Sequence, residues 1–235
     1  MTLEIVFATR NRDKIKEIEA IMGGLDVSFI GLDRFDGAPD VIEDGETLEE
    51  NALKKSRAIR DFTGMCALAD DTGLEVDALD GAPGVYSARY AGEGVDYQTN
   101  NKKLLRELSD VDDEKRTARF RCVMALALST DVAVELEKRM RTSGGGNGGA
   151  RRTTAKRLDA IVAEGIIDGR ITRENRGTSG FGYDPVFEVP HLEQTLAEMG
   201  PQAKNKISHR YRALVEVREL LLRWGLVQPL DSPSG

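Results

Sequence analysis

Apolar residues along the chain fall into short continuous runs, strict alternation, and repeats at helical spacing, and each pattern predicts a different element. Residues 3–8 form a nearly continuous apolar run, as expected of a strand buried on both faces. The run breaks at Thr9-Arg10-Asn11-Arg12-Asp13-Lys14, after which Ile15, Ile18 and Met22 recur at helical spacing until Gly23-Gly24. A strand, a loop and a helix therefore follow one another. Residues 27–32 predict a second strand. Thr47 and Glu50 form a capping box that opens a helix to about residue 63, stopped by Gly64. Residues 66–69 predict a short buried strand, with Gly73 turning the chain just after Asp70-Asp71-Thr72, and residues 75–79 another short strand.

Leu104, Leu105 and Leu108 give residues 100–108 a helix face. Ala118, Phe120, Cys122, Met124, Leu126 and Leu128 alternate with Arg119, Arg121, Val123, Ala125 and Ala127, the clearest strand in the chain. Residues 132–137 and 158–164 read as two further strands. Toward the C-terminus Thr195 and Glu198 read as a second capping box. Ser208 is placed as N-cap of a last helix whose buried stripe is Leu214, Val217 and Leu221, closed by Trp224-Gly225.

Strands alternating with helices predict the α/β class. Composition adds bounds. A chain of 235 residues with 40% apolar content fits one large domain or two small lobes around a real core. Cys66 and Cys122 both lie in apolar runs, as buried small hydrophobes of a reducing compartment do. The N-terminus carries no signal-peptide pattern and no run reaches a membrane-spanning length, so a cytoplasmic protein is expected. A net charge of −7 argues against a nucleic-acid surface, so an anionic ligand must meet a local positive site. The segment 138–157 differs in kind: between Glu137 and Asp159 stand seven Lys or Arg, no acid, and a glycine-rich centre. It reads as a flexible hairpin tip, a passive insertion in a single domain spanning residues 1–235.

Candidate chemistry gathers in four places. Asp70-Asp71 puts two carboxylates at the end of an apolar run, where a metal ion or water can be held; an ordinary solvated turn is the competing reading. The loop at Thr9, Asn11 and Lys14 precedes a helix N-terminus, which suits phosphate, although no Gly-rich P-loop pattern is present. Lys14 lies in the helix's first turn, where a cation is unfavourable to the dipole unless an anion is near. Glu43 precedes the capped helix that carries Lys55 and is free to reach a metal. In the last third, Phe181-Gly182-Tyr183-Asp184 sets two aromatics among glycines, suited to stacking a planar base, and His209 and Arg210 are again cations in a helix's first turn.

Together these stretches resemble the inosine triphosphatase family of non-canonical purine nucleoside triphosphate pyrophosphatases. The resemblance rests on Thr9-x-Asn11-x-x-Lys14, Glu43 before Glu50-Asn51-Ala52, residues 69–74, residues 81–90, Phe181-Gly182-Tyr183-Asp184-Pro185 and Ser208-His209-Arg210. It departs at Arg10, at Thr72 in place of a serine, and at the 138–157 insertion. The resemblance implies an elongated mixed β-sheet with flanking helices, two lobes with the active site in the cleft between them, and a homodimer. It implies Mg2+-dependent hydrolysis of ITP, dITP and XTP to monophosphate and pyrophosphate. Asp71 would be the catalytic base and, with Glu43, a metal ligand. Thr9, Asn11, Lys14 and Lys55 would take the triphosphate, while Thr72, Phe181, Gly182, Tyr183, Asp184, Lys204, Ser208, His209 and Arg210 would bind the rest of the substrate. A Maf-type pyrophosphatase of other base specificity and a non-catalytic nucleotide-binding protein are the alternatives.

Overall fold

The alternation read at residues 118–128 becomes the central strand of one mixed sheet. The computed structural model describes residues 2–143 and 158–230. Among them run β1 (Leu3–Phe7), α1 (Arg12–Met22), β2 (Val27–Ile30), α2 (Leu48–Thr63), β3 (Cys66–Val76), β4 (Pro83–Gly84) and α3 (Tyr97–Glu107). The chain continues with β5 (Thr117–Ala127), α4 (Thr130–Ser143), β6 (Ala160–Ile171), β7 (Phe187–Val189), β8 (Gln194–Thr195), α5 (Pro201–Asn205) and α6 (His209–Arg223). The strands lie in the order β2-β1-β3-β5-β6-β7-β8, with β4 also pairing β3. β2, β1 and β3 are parallel and the remaining pairs antiparallel, so the mixed α/β fold is as expected.

Period-two side-chain placement divides the core by sheet face. On one face Cys66, Leu68, Cys122, Met124 and Leu126 pack against Ile18 and Met22 of α1, Leu136 of α4, and Leu214, Val217 and Leu221 of α6. Burying each such Leu or Val contributes about 1.5–3 kcal/mol. The other face sets Val123 and Ala125 against Leu48 and Ala52 of α2. Further along the same strands a second cluster joins Leu74, Val76, Phe120, Ile167 and Phe187 to Leu104 and Leu108 around α3. Residues 70–72 of β3 fall between Leu68 and Leu74, at the seam between these clusters.

Three expectations change. β3 does not end at Ala69: it runs unbroken through Asp70-Asp71-Thr72-Gly73 to Val76, and residues 77–79 form a short 3-10 helix. Gly73 is a strand residue, required because a Cβ there would meet the Gly84 carbonyl oxygen at 2.7 Å where β4 pairs. Residues 132–137 are helical rather than a strand, within α4; Ala133 and Leu136 are buried on the α6 face, and Ser129 takes the amide of Ala133 on its carbonyl at 2.9 Å. The first arm of the expected hairpin is thus the first half of a helix that continues into the expected tip as far as Ser143, and residues 144–157, the rest of that segment, lie outside the described residues. Finally, Thr195 and Glu198 do form both capping-box hydrogen bonds, at 3.2 and 2.7 Å, but around a turn after β8; the next helix starts at Pro201. The Thr47–Glu50 box, the αL stop at Gly64 and the Ser208 cap are as expected. Both cysteines are buried and free. Among the described residues no helix is long and apolar enough to cross a membrane.

Candidate active site

β1 pairs with β3 only as far as Leu68. Beyond that register β3 pairs only with β5, on its opposite edge, until β4 joins it at Leu74, so the intervening residues line a gap in the sheet. Because successive strand residues point to opposite faces, the adjacent carboxylates part company there. Asp70 faces α1 and α6: its Oδ2 meets Lys14 Nζ at 2.9 Å and Arg210 Nη2 at 3.3 Å. Asp71 faces α2: its oxygens accept from Lys55 Nζ and Asn51 Nδ2, each at 3.1 Å. Asn51 and Lys55 are one turn apart on the capped helix and therefore share a face. Lys55 Nζ also reaches Glu43 at 2.9 Å, and Glu43 is held from behind by Arg89, which donates to its carbonyl at 3.0 Å.

Two cavities open on this gap. The first, about 260 Å³, is polar and lined by Thr9, Arg10, Lys14, Glu43, Lys55 and Asp70. The second, about 210 Å³, is lined by Lys14, Thr72, Tyr97, Phe181, His209 and Arg210 among others. Lys14 belongs to both, so the two are halves of one site that wraps the end of β1. Asp71 is not itself a wall of either; it reaches the polar cavity through Lys55 and Glu43.

Electrostatics follow from burial and pairing. Burial, opposed by Lys55 but reinforced by the Glu43 charge, pushes the Asp71 carboxyl up to about 6. Glu43 is partly desolvated too, yet Lys55 holds it below its ordinary value; of this pair the more buried Asp71 keeps the proton. Burial alone would raise Asp70, but Lys14, then Arg210 and Lys55, hold it well below the carboxylate range. Burial, with Arg210 and Lys204 nearby, drives His209 well below 6.5; it is a neutral imidazole stacked on Phe120 at 4.7 Å, and its Nδ1 has no hydrogen-bond partner among the described residues.

The residues singled out in the sequence converge here, with several roles revised. Thr9 Oγ1 and Asn11 Oδ1 accept the amides of Asn11 and Lys14 at 3.1 and 3.3 Å, shaping the loop and capping α1. Arg10 ties that loop to Asp40 and to the Ala38 carbonyl. Lys14 and Arg210, read as first-turn cations awaiting a ligand, already have an anion in Asp70. Phe181 faces the second cavity, with Lys204 Nζ 4.8 Å and the Arg210 guanidinium 5.7 Å from its ring centre. Tyr183 is not a second stacking ring: it is buried, and its hydroxyl donates to the Ser87 carbonyl at 2.9 Å. The ring beside Phe181 is instead Tyr97, 6.2 Å away, which no local pattern singles out. Asp184 accepts from the Phe181 amide and Lys204 Nζ at 2.9 and 2.8 Å, setting both. Gly182 lends its carbonyl to Asn101 at 3.1 Å. Ser208 caps α6, accepting the Tyr211 amide at 3.1 Å, and lines neither cavity.

A mixed-sheet α/β protein with a charged cavity joined to an aromatic one, and carboxylates at the join, is the class these features define. The Ham1 family model matches residues 5–145 and 150–220. A dITP/XTP pyrophosphatase of Desulforamulus reducens is 45% identical over 221 residues, 94% of this chain and 96% of that one. One of Geobacter sulfurreducens is 45% identical over 217 residues, 92% and 96% of the two chains. The solved structure of a HAM1 protein from Coxiella burnetii superposes with a TM-score of 0.78 at 38% identity, covering 94% of this chain and 99% of that one. The chain belongs to the Ham1 family.

Proposed function

We propose that the protein is a nucleoside triphosphate pyrophosphatase that hydrolyses non-canonical purine nucleotides, dITP, ITP and XTP, to the monophosphate and pyrophosphate. The observation that carries this reading is the pair of cavities joined at Lys14, one lined by cations and carboxylates, the other by Phe181 and buried donors. The relatives described above are named dITP/XTP pyrophosphatases.

The triphosphate lies in the polar cavity, where Lys14, Lys55 and the N-terminus of α1 face it. Glu43 and Asp71 fit a divalent cation, Mg2+ in this reading: they are hard oxygen donors that share the one ammonium of Lys55, and burial together with the Glu43 charge raises the Asp71 carboxyl. Bound there, such a cation supplies neutralisation of phosphate charge in the transition state. Asp71 as carboxylate takes the proton of the attacking water. The base stacks on Phe181. Arg210, a donor-only group, suits the O6 and N7 acceptors of a 6-oxo purine and opposes the 6-amino group of adenine. Neutral His209 offers one donor and one acceptor nitrogen. A homodimer and a passive role for residues 144–157 belong to the same reading.

The test is pyrophosphate release from dITP, ITP, XTP, GTP, ATP and UTP with and without Mg2+. Release confined to the 6-oxo purines and dependent on the cation is expected. A preference for a pyrimidine substrate would favour the Maf-type reading, and nucleotide binding without release would favour a binding protein.

A further inference from the structure

Asp70 is the most enclosed charge of the site, its side chain 1% exposed, and it neither faces α2 nor touches Glu43 or Asn51. Its Oδ2 alone takes three groups: Lys14 Nζ at 2.9 Å, Arg210 Nη2 at 3.3 Å and Thr72 Oγ1 at 3.2 Å. Oδ1 has no hydrogen-bond partner among the described residues. Thr72 Oγ1 also lies 3.4 Å from Arg210 Nη2, so carboxylate, hydroxyl and guanidinium close a small ring. Lys14 comes from the first turn of α1 and Arg210 from the first turn of α6, where each helix's own dipole repels them. A buried carboxylate between the two helix starts is what allows both cations to stay. Lys14 walls both cavities, whereas Arg210 walls only the aromatic one.

We propose that Asp70 is a positioning residue that couples the two halves of the site, by holding the phosphate-facing Lys14 and the base-facing Arg210 on one oxygen. Two cations sharing one acceptor are thermodynamically linked. A base that draws Arg210 toward its own oxygen leaves more of the carboxylate to Lys14 and fixes that ammonium; a base that repels Arg210 leaves Lys14 in competition for Oδ2. Selection of the base would then be expressed partly in the rate of phosphate chemistry, not only in binding. The role is distinct from that of Asp71, on the opposite face. It rests on the function proposed above.

The test is a double-mutant cycle. Lys14→Gln, Arg210→Gln and the double variant are made in the natural chain and again in Asp70→Asn, and kcat and KM are measured on dITP and dATP in saturating Mg2+. In the natural background the two losses should depart from additivity by about threefold or more; with Asp70→Asn they should multiply simply. Asp70→Asn alone should lower the dITP-to-dATP preference in kcat as well as in KM, while half-saturating Mg2+ moves less than about twofold, because Asp70 is not a ligand in this assignment. Additive losses in the natural chain, or a preference left intact by Asp70→Asn, would overturn the proposal, as would a large change in half-saturating Mg2+. If Asp70→Asn does not fold, Thr72→Val loosens the same oxygen: a reduced preference at unchanged melting temperature supports the coupling, and an unchanged one refutes it. Absence of dITP hydrolysis by the unaltered chain would refute the function instead, so the two failures are separable.

Discussion

Asp71→Asn should lose most turnover and, against the usual trend for buried polar groups, gain relative stability as pH rises. The carboxyl is raised from an ordinary 3.8 to about 6 by burial and by Glu43, against the pull of Lys55. A carboxyl that binds its proton more tightly folded than unfolded makes folding less favourable as pH climbs through that window. The penalty is absent below about 3.8 and complete above about 6. At 1.36 kcal/mol per pH unit the ceiling is about 3 kcal/mol; sharing of the proton with Glu43 reduces it, so about 1–3 kcal/mol is expected.

Asparagine cannot ionise, so the variant escapes this penalty. It does lose hydrogen-bond quality toward Asn51 and Lys55, at about 1 kcal/mol each. That loss is nearly the same at every pH, because natural Asp71 is itself neutral at pH 4. The pH dependence is therefore the clean signal. From pH 4 to pH 7.5 the melting temperature of the variant relative to the natural chain should rise by about 2–10 °C. Thermal melts by circular dichroism in chelator, at half-unit pH steps, measure it. A difference flat in pH, or one that falls as pH rises, would refute the assignment of the proton to Asp71. At pH 7.5 with Mg2+, turnover of dITP by the folded variant should fall by about 10² to 10⁴.

Phe181→Ala should raise KM for dITP by roughly 5- to 100-fold with a smaller change in kcat, since base stacking contributes about 1–3 kcal/mol; an unchanged KM would place the base elsewhere. Arg116 is buried and donates to the Ile171, Leu108 and Thr172 carbonyls at 2.8, 2.6 and 2.7 Å. Arg116→Met removes all three donors, although the Leu108 carbonyl keeps the Val111 amide at 3.1 Å, and should cost about 2–4 kcal/mol, read as a fall of about 4–15 °C in melting temperature, with kcat on dITP unchanged in the cold. Replacing residues 144–157 by a short Gly-Ser linker should leave dITP turnover intact, because every site residue lies elsewhere; a large fall would assign that segment a part in the site.

Much of this site was legible because its parts obey local rules. Thr47 and Glu50 announce α2, and α2 carries Asn51 and Lys55 on one face at i, i+4 spacing, so the helix that meets Asp71 could be placed from sequence. The stripe Leu214, Val217 and Leu221 and the Ser208 cap fixed α6 in the same way. β3 was not legible, because Asp70-Asp71-Thr72-Gly73 has the composition of a turn. It is a strand because Lys14 and Arg210, the latter 140 residues away, compensate Asp70, and Lys55 and Asn51 compensate Asp71. Tertiary pairing overrides local preference. α4 was misread for a similar reason: Val132, Val134 and Leu136 alternate, but what is buried is Ala133 with Leu136, a helical spacing. Tyr97 gave no signal at all, since nothing local marks a helix's first residue as the neighbour of a ring at 181.

The split of two adjacent aspartates across the sheet also settles the charge of the site. Around it stand five cations, Arg10, Lys14, Lys55, Lys204 and Arg210, and five anions, Asp40, Glu43, Asp70, Asp71 and Asp184, each cation in contact with at least one anion. The ten formal charges cancel, unlike a phosphate cradle of unpaired lysines. A polyanion entering such a site gains little net attraction from side chains that already have partners, and most of what it gains comes from the N-terminus of α1. The deficit lies on the α2 face, where Glu43 and Asp71, once both are ionised, share the single ammonium of Lys55. On the α1 and α6 face it is reversed, with two cations on one carboxylate. The arrangement is therefore a dipole across the end of β1, negative toward α2 and positive toward α1 and α6. It would suit a ligand that is itself two-sided, a cation that Glu43 and Asp71 would hold and a phosphate that Lys14 would face. Neither half alone satisfies both faces, so metal and nucleotide should bind with positive cooperativity.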